Sequence, residues 1–210
     1  MIRKSSWLLA LIFFLGCNND TKPGDASGKN AATEHDGHNM TVVSSDYCDS
    51  VNKGLITQDT LKGSPHRATM ATVNGTQVHI EYNSPGVKGR IIWGGLVSYD
   101  KVWATGAHKA TNVRFSRDVM INDKKIPAGQ YAFFTIPGKE KWLVILNTRY
   151  DQHLADDYNE KEDVVRAEVK PEGHDMTQRL TYAVNAIDDK SGEIVMQWEK
   201  ILIRLPFMTL

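Results

Sequence analysis

Between the apolar runs Arg90-Ile91-Ile92-Trp93 and Asn112-Val113-Arg114-Phe115 lies a connection, Tyr99 to Thr111, that carries Tyr99, Trp103, Thr105, His108 and Thr111. Aromatic walls with a few convergent hydroxyl, imidazole and carboxylate groups are how small-molecule sites are built, and connections on a rigid β frame are where such groups tend to sit. A second decorated connection, Arg149-Tyr150-Asp151-Gln152-His153, adds Asp151 as a polar anchor. Tyr99, Trp103, Thr105, His108, Thr111 and Asp151 are therefore the candidate ligand-binding residues. Trp93, Tyr131, Phe134 and Trp142 extend the aromatic set, although Tyr131, Phe134 and Trp142 lie on strand patterns where a core role is the plainer reading.

Histidine offers a second chemistry. His79, His108 and His153, with His66 nearby in the chain order, would suit zinc or copper if their neutral imidazoles converged, with Glu81 or Asp151 as a fourth ligand or an outer partner. The spacing carries no paired-Cys or zincin pattern, so this set rests on convergence alone, and dispersed hydrogen-bonding histidines are the alternative. His35, His38 and Met40 form a second, local set of donors suited to zinc or copper. Nucleophilic catalysis has little support: Ser84 and Ser98 sit in turn-like contexts, no Gly-x-Ser-x-Gly elbow occurs, and Cys48 has no evident activating partner. No Gly-rich phosphate loop precedes a helix, and no residue nominates itself as catalytic.

The elements that must position these groups read as β. Arg67 to Val73 and Thr76 to Tyr82 alternate in hydrophobicity around Asn74-Gly75, a strong hairpin signal, which sets Val73 opposite Thr76 and Met70 opposite His79. Val78, Ile80 and Tyr82 then face the core. Ile91 to Trp93, Thr111 to Phe115, Val119 to Ile121, Gln130 to Ile136, Trp142 to Asn147, Val164 to Lys170, Arg179 to Ala186 and Glu193 to Pro206 read as further strands, the last bent near Lys200. The strands at Gln130 and Trp142 are apolar in adjacent as well as alternate positions, which places them centrally with both faces covered. About nine or ten short strands, preceded by a short helix or arm over Asp46 to Ser64, predict an all-β antiparallel sandwich of jelly-roll type.

The ends are different. Arg3 and Lys4 precede an apolar run to Leu15 that is too short to span a bilayer but fits an export signal over residues 1–16. Phe14-Leu15-Gly16-Cys17 resembles a bacterial lipobox, with Phe14 where Leu is commoner; it predicts Cys17 as a lipidated amino terminus that holds the protein at the cell envelope, on the periplasmic or surface face of the outer membrane. Residues 17–45 are polar and small, a flexible tether with a span on the order of 30 Å. That leaves residues 46–210 for one domain, with Cys48 as its lone thiol, which rules out an internal disulfide framework. Lys plus Arg, 25, balances Asp plus Glu, 25, so no one-signed field is available and nucleic acid is not an expected partner.

Several segments taken together resemble one family. They are Tyr82-Asn83-Ser84-Pro85-Gly86-Val87-Lys88-Gly89-Arg90, Gly95-Leu96-Val97-Ser98-Tyr99-Asp100-Lys101-Val102-Trp103-Ala104-Thr105-Gly106-Ala107, Ala110-Thr111, Ile126-Pro127-Ala128-Gly129, Phe134-Thr135-Ile136-Pro137-Gly138 and Glu162-Asp163-Val164-Val165-Arg166. In this order, over about 64–207, the chain resembles the bacterial exported family catalogued as domain of unknown function 2911. The resemblance implies an exported β-sandwich and no established activity; His108 stands where the family's loop leads one to expect Asn. Three functions are compatible with these residues. One is an envelope domain that binds a small ligand or partner through 99–111 and 149–153, a second a His-based zinc or copper site with a hydrolytic or metal-handling role, and a third a structural accessory lipoprotein of an envelope complex.

Overall fold

The computed structural model describes residues 46–210. The leader 1–16 and the tether 17–45, and with them Cys17, His35, His38 and Met40, lie outside the described residues.

Turn chemistry sets the first hairpin. Asn74 (φ 47°) and Gly75 (φ 74°) take the left-handed backbone that a type I′ turn requires. They join β1 (His66–Val73) to β2 (Thr76–Asn83) with Val73 opposite Thr76 and Met70 opposite His79, the register that alternation predicts. Val78, Ile80 and Tyr82 are buried on the core side.

The chain continues through β3 (Thr111–Phe115), β4 (Val119–Ile121), β5 (Lys124–Ile126), β6 (Gly129–Ile136), β7 (Trp142–Asn147), β8 (Asp163–Val169), β9 (Glu172–Ala186) and β10 (Ser191–Thr209). Two antiparallel sheets result, in the orders β1-β2-β3-β6-β7-β8 and β5-β4-β10-β9, which is the expected sandwich. Val113, Phe115, Phe133 and Leu146 from one sheet meet Leu180, Met196, Ile203 and Phe207 from the other. At one place this core is almost wholly indole: Trp93 lies 4.9 Å from Trp142 and 5.8 Å from Trp103 and Trp198, ring centre to ring centre, and Trp103 stacks on Trp198 at 5.7 Å. β10 bends where expected, at Glu199 (φ 56°), with register shifts against β9 on either side.

The structure differs from the sequence expectation in three places. Arg90-Ile91-Ile92-Trp93 is not a strand but a tight loop closed on itself, with Leu96 N–H donating to Ile91 O (3.0 Å) and Val97 N–H to Ile92 O (2.9 Å). Only Ile92 and Trp93 turn inward, and Ile91 is 78% exposed, so the apolar run reflects local packing rather than pairing. A strand absent from that expectation follows Ile121: Asn122 (φ 49°) and Asp123 (φ 60°) alone make the turn, and Lys124 to Ile126 pair with β4 as β5. The arm over 46–64 is helical only at 46–52, where Cys48 and Val51 are buried against the sandwich.

Candidate functional site

The two decorated connections come together because they cover the same apolar patch. Phe134 and Ile145, on β6 and β7, are fully buried on the face that points away from the main core. Ala104 and Ala110 from one connection and Leu154, Ala155 and Tyr158 from the other close over them, with the Tyr158 ring 5.3 Å from that of Phe134. This is the two-faced burial that the sequence of β6 and β7 predicts. Backbone pairing then joins the connections: Ala110 N–H donates to Gln152 O (3.1 Å), Leu154 N–H to His108 O (3.0 Å), and Lys109 bridges His153 in antiparallel fashion.

The shape of the first connection is fixed from inside. Thr105 holds φ at 50°, a costly value for a β-branched residue, of order 1–3 kcal/mol. Its surroundings over-determine it. The Thr105 hydroxyl donates to Trp103 O (3.1 Å) and lies 3.0 Å from the Thr135 hydroxyl, while the Thr105 carbonyl accepts from the hydroxyls of Thr111 (3.0 Å) and Tyr182 (2.8 Å). Trp103 pairs both backbone groups with Thr135, and its indole N–H donates to Gly106 O (3.2 Å). Gln152 does the same for the second connection, donating to Arg149 O (2.6 Å) and accepting from Asp157 N–H (3.1 Å).

The six candidate ligand residues therefore divide. Thr105 and Thr111 are fully buried, and Trp103 is half-buried in the indole cluster; these three build the loop. Tyr99 is half-buried. His108 and Asp151 are exposed, Asp151 facing the Lys109 ammonium at 3.5 Å. Together with Lys109, Tyr150 and His153 they form a polar rim, in which the His153 ring sits 2.8 Å from the Asp156 carboxylate.

The histidines are not gathered. His79 sits mid-strand on β2 opposite Met70 and Arg114, with only Glu81 nearby at 4.0 Å, while His108 and His153 stand on the rim. His66 begins β1, and His174 lies 3.1 Å from Ile201 O. Among the described residues no three His, Cys, Asp or Glu side chains are placed to share a metal ion. The ladder holds His79 inside the sheet while the rim lies on the connections, so His79, His108 and His153 do not form the expected ligand set; the His35, His38 and Met40 set lies outside the described residues.

An open recess of about 520 Å³ adjoins the start of the first connection. Ile136 and Leu143 give it an apolar floor, and Asp100, Lys139, Lys141 and Glu168 a charged edge. Lys141 and Glu168 are paired at 2.7 Å across neighbouring strand ends.

Sequence reasoning missed a buried ion pair. Arg179 on β9 is wholly buried, its Nε 2.7 Å from Asp59 Oδ2 and its Nη2 donating to Asp59 Oδ1 at 2.8 Å. Cys48, also fully buried, lies in the same neighbourhood, and burial pushes its thiol pKa up against the opposing pull of Arg67 and Arg179. Arg179 is a charge beside core Leu180 on a strand, a placement that carries no signal of a buried partner.

Residues 64–207 match the family described as Protein of unknown function (DUF2911), and the chain belongs to that family. No curated protein and no solved structure matches the chain.

Proposed function

Proceeding from that membership, we propose that the protein is a binding module of the bacterial cell envelope, held to the membrane by lipidated Cys17 and displaying the rim His108, Lys109, Tyr150, Asp151 and His153 to a partner protein. The Phe14-Leu15-Gly16-Cys17 pattern supports the lipid attachment, and no helix among the described residues is long and apolar enough to cross a membrane. The observation that carries the reading is the backbone pairing of Lys109 with His153, which sets charges of both signs and the 40% exposed Tyr150 on one edge. Tyrosine and mixed charge in a pre-shaped loop are the ingredients of a protein-recognition surface.

A photo-crosslinking residue at Tyr150 in cells tests this. It is expected to trap one discrete protein, with none trapped from Met176 on β9; equal, diffuse labelling at both positions sinks the partner reading. Fatty-acid incorporation that disappears in Cys17→Ser tests the anchor.

The recess beside Asp100 favours a second reading, a small amphipathic ligand resting on Ile136 and Leu143. Anilinonaphthalene sulfonate is the probe. Its fluorescence is expected to rise with the wild-type chain and to fall back in Leu143→Arg, and an unchanged response in that variant removes this reading.

A further inference from the structure

Arg179 precedes Leu180, which enters the core, so by strand alternation its own side chain leaves the sheet on the opposite, outer face. Its own N–H and carbonyl have no partner in β10, because the register jumps there; the Asn52 side chain takes both, accepting at 2.7 Å and donating at 2.9 Å. The guanidinium then meets the segment before β1. Beyond the two oxygens of Asp59 it donates to Leu61 O (2.5 Å) and Gly63 O (2.9 Å), and only Ser84 O (3.1 Å) belongs to the sandwich itself. Gly86 floors the opening: a Cβ there would stand 2.6 Å from Asp59 Oδ2 and 3.1 Å from Arg179 Nε, so the position is kept bare where a carboxylate approaches.

Two further observations set Asp59 apart as an occupant. Its Oδ2 and the Arg179 Nε are close enough for an ion pair yet make no aligned hydrogen bond, although both are buried. The family match also starts at residue 64, so Arg179, Ser84 and Gly86 fall inside the family domain and Asp59 outside it. A buried guanidinium cannot be left without an anion, since breaking such a pair is strongly destabilising.

We infer that the recess formed by Arg179, Ser84 and Gly86 is a carboxylate-binding site of the sandwich, and that residues 46–63 are a strap whose Asp59 fills it in this structure. Its ligands are carboxylates, either small acids or the terminal carboxylate of a peptide, bound through the planar guanidinium fork. Strap and ligand compete for one place. Release of the strap exposes its own Cys48, which is buried against the sandwich here, so thiol reactivity reports the state of the site. The inference is independent of the rim.

The test uses the full chain with Cys17→Ser, leaving Cys48 as the only thiol. Asp59→Gly removes the occupant's carboxylate and leaves space for a free one; it is expected to lower the melting temperature and to speed Cys48 labelling about tenfold or more, through easier local opening. Acetate at neutral pH is expected to reverse both effects relative to chloride of equal ionic strength. Asp59→Asn, whose amide fills the space, and the double variant Asp59→Gly/Arg179→Gln are expected not to respond to acetate. If Asp59→Gly does not accumulate in folded form, the same salts are compared on its refolding yield from urea. Acetate acting no better than chloride on Asp59→Gly, or equally on all three variants, overturns the site and leaves the pair as a structural clamp.

Discussion

The Tyr182 hydroxyl donates to the Thr105 carbonyl at 2.8 Å inside the sandwich, tying β9 to the connection that carries the rim. Burial raises the Tyr182 pKa well above its ordinary value, so the hydroxyl keeps its proton at any physiological pH. Tyr182→Phe removes one of two donors to that carbonyl, the Thr111 hydroxyl remaining. The expected loss is about 1 kcal/mol, read as a lower urea midpoint with unchanged slope. No loss at all would mean that Thr111 alone satisfies the strained turn.

The patch beneath the two connections makes a sharper prediction. Phe134→Ala is expected to cost about 3–5 kcal/mol, as a buried aromatic truncation does. It is also expected to loosen the pairing above it, so that the amides of Ala110 and Leu154 exchange faster than the global loss of stability explains. Phe115→Ala, in the main core, serves as the control: a similar loss in stability, with those two amides following the global change. Uniform acceleration in both variants would show that the rim is not held by Phe134.

How much of this was legible in the sequence follows from how local the cause is. Asn74-Gly75 announces its hairpin because two adjacent residues supply the left-handed backbone, and the register of β1 against β2 follows by counting. The adjacent apolar residues of β6 and β7 announce two covered faces, although not which segments cover the second. Ile91-Ile92-Trp93 misleads because a short apolar run has the same composition whether it pairs as a strand or folds into a self-closed loop. The pairing of Lys109 with His153 and of Asp59 with Arg179 joins segments distant in the chain, and no local pattern encodes either contact. Arg179 alternates with the inward-facing Leu180, which reads equally as an outer face exposed to water.

Cys48 gives the stability of the protein an alkaline limb. Burial raises the folded-state pKa of its thiol above the unfolded value of about 9, with the Arg67 and Arg179 charges and the Ser84 hydrogen bond opposing and Asp59 adding to the rise. The folded state therefore holds its proton where the unfolded state has lost it. This contribution is fully present below pH 9 and is lost as pH rises from there toward the folded value. In the Cys17→Ser background, Cys48→Ala is expected to flatten the fall of melting temperature between about pH 8.5 and 10, below the range where the raised pKa values of Tyr131, Tyr158 and Tyr182 begin to act. Parallel pH profiles for the two proteins would assign the limb to other groups.

Two hairpins of the same length give an internal comparison of turn chemistry. Both use left-handed backbone at each central residue: Asn74-Gly75 at 47° and 74°, and Asn122-Asp123 at 49° and 60°. Glycine meets this geometry without a Cβ penalty, whereas an L side chain carries roughly 1–2 kcal/mol, reduced for Asp by its local hydrogen bonding. Asp123 is exposed and makes no ion pair with its neighbours β4 and β5, the Asp118–Lys125 pair at 2.8 Å lying elsewhere on that hairpin. Asp123→Gly is therefore expected to stabilise the protein by about 0.5–1 kcal/mol after the entropy that glycine adds to the unfolded chain is subtracted. Gly75→Asp is expected to move the urea midpoint the other way by a similar amount, since the neighbour its Cβ meets, at 3.1 Å, is the movable guanidinium of exposed Arg117. Shifts of the same sign in the two variants would show that the turns are set by the sheets around them and not by their own residues.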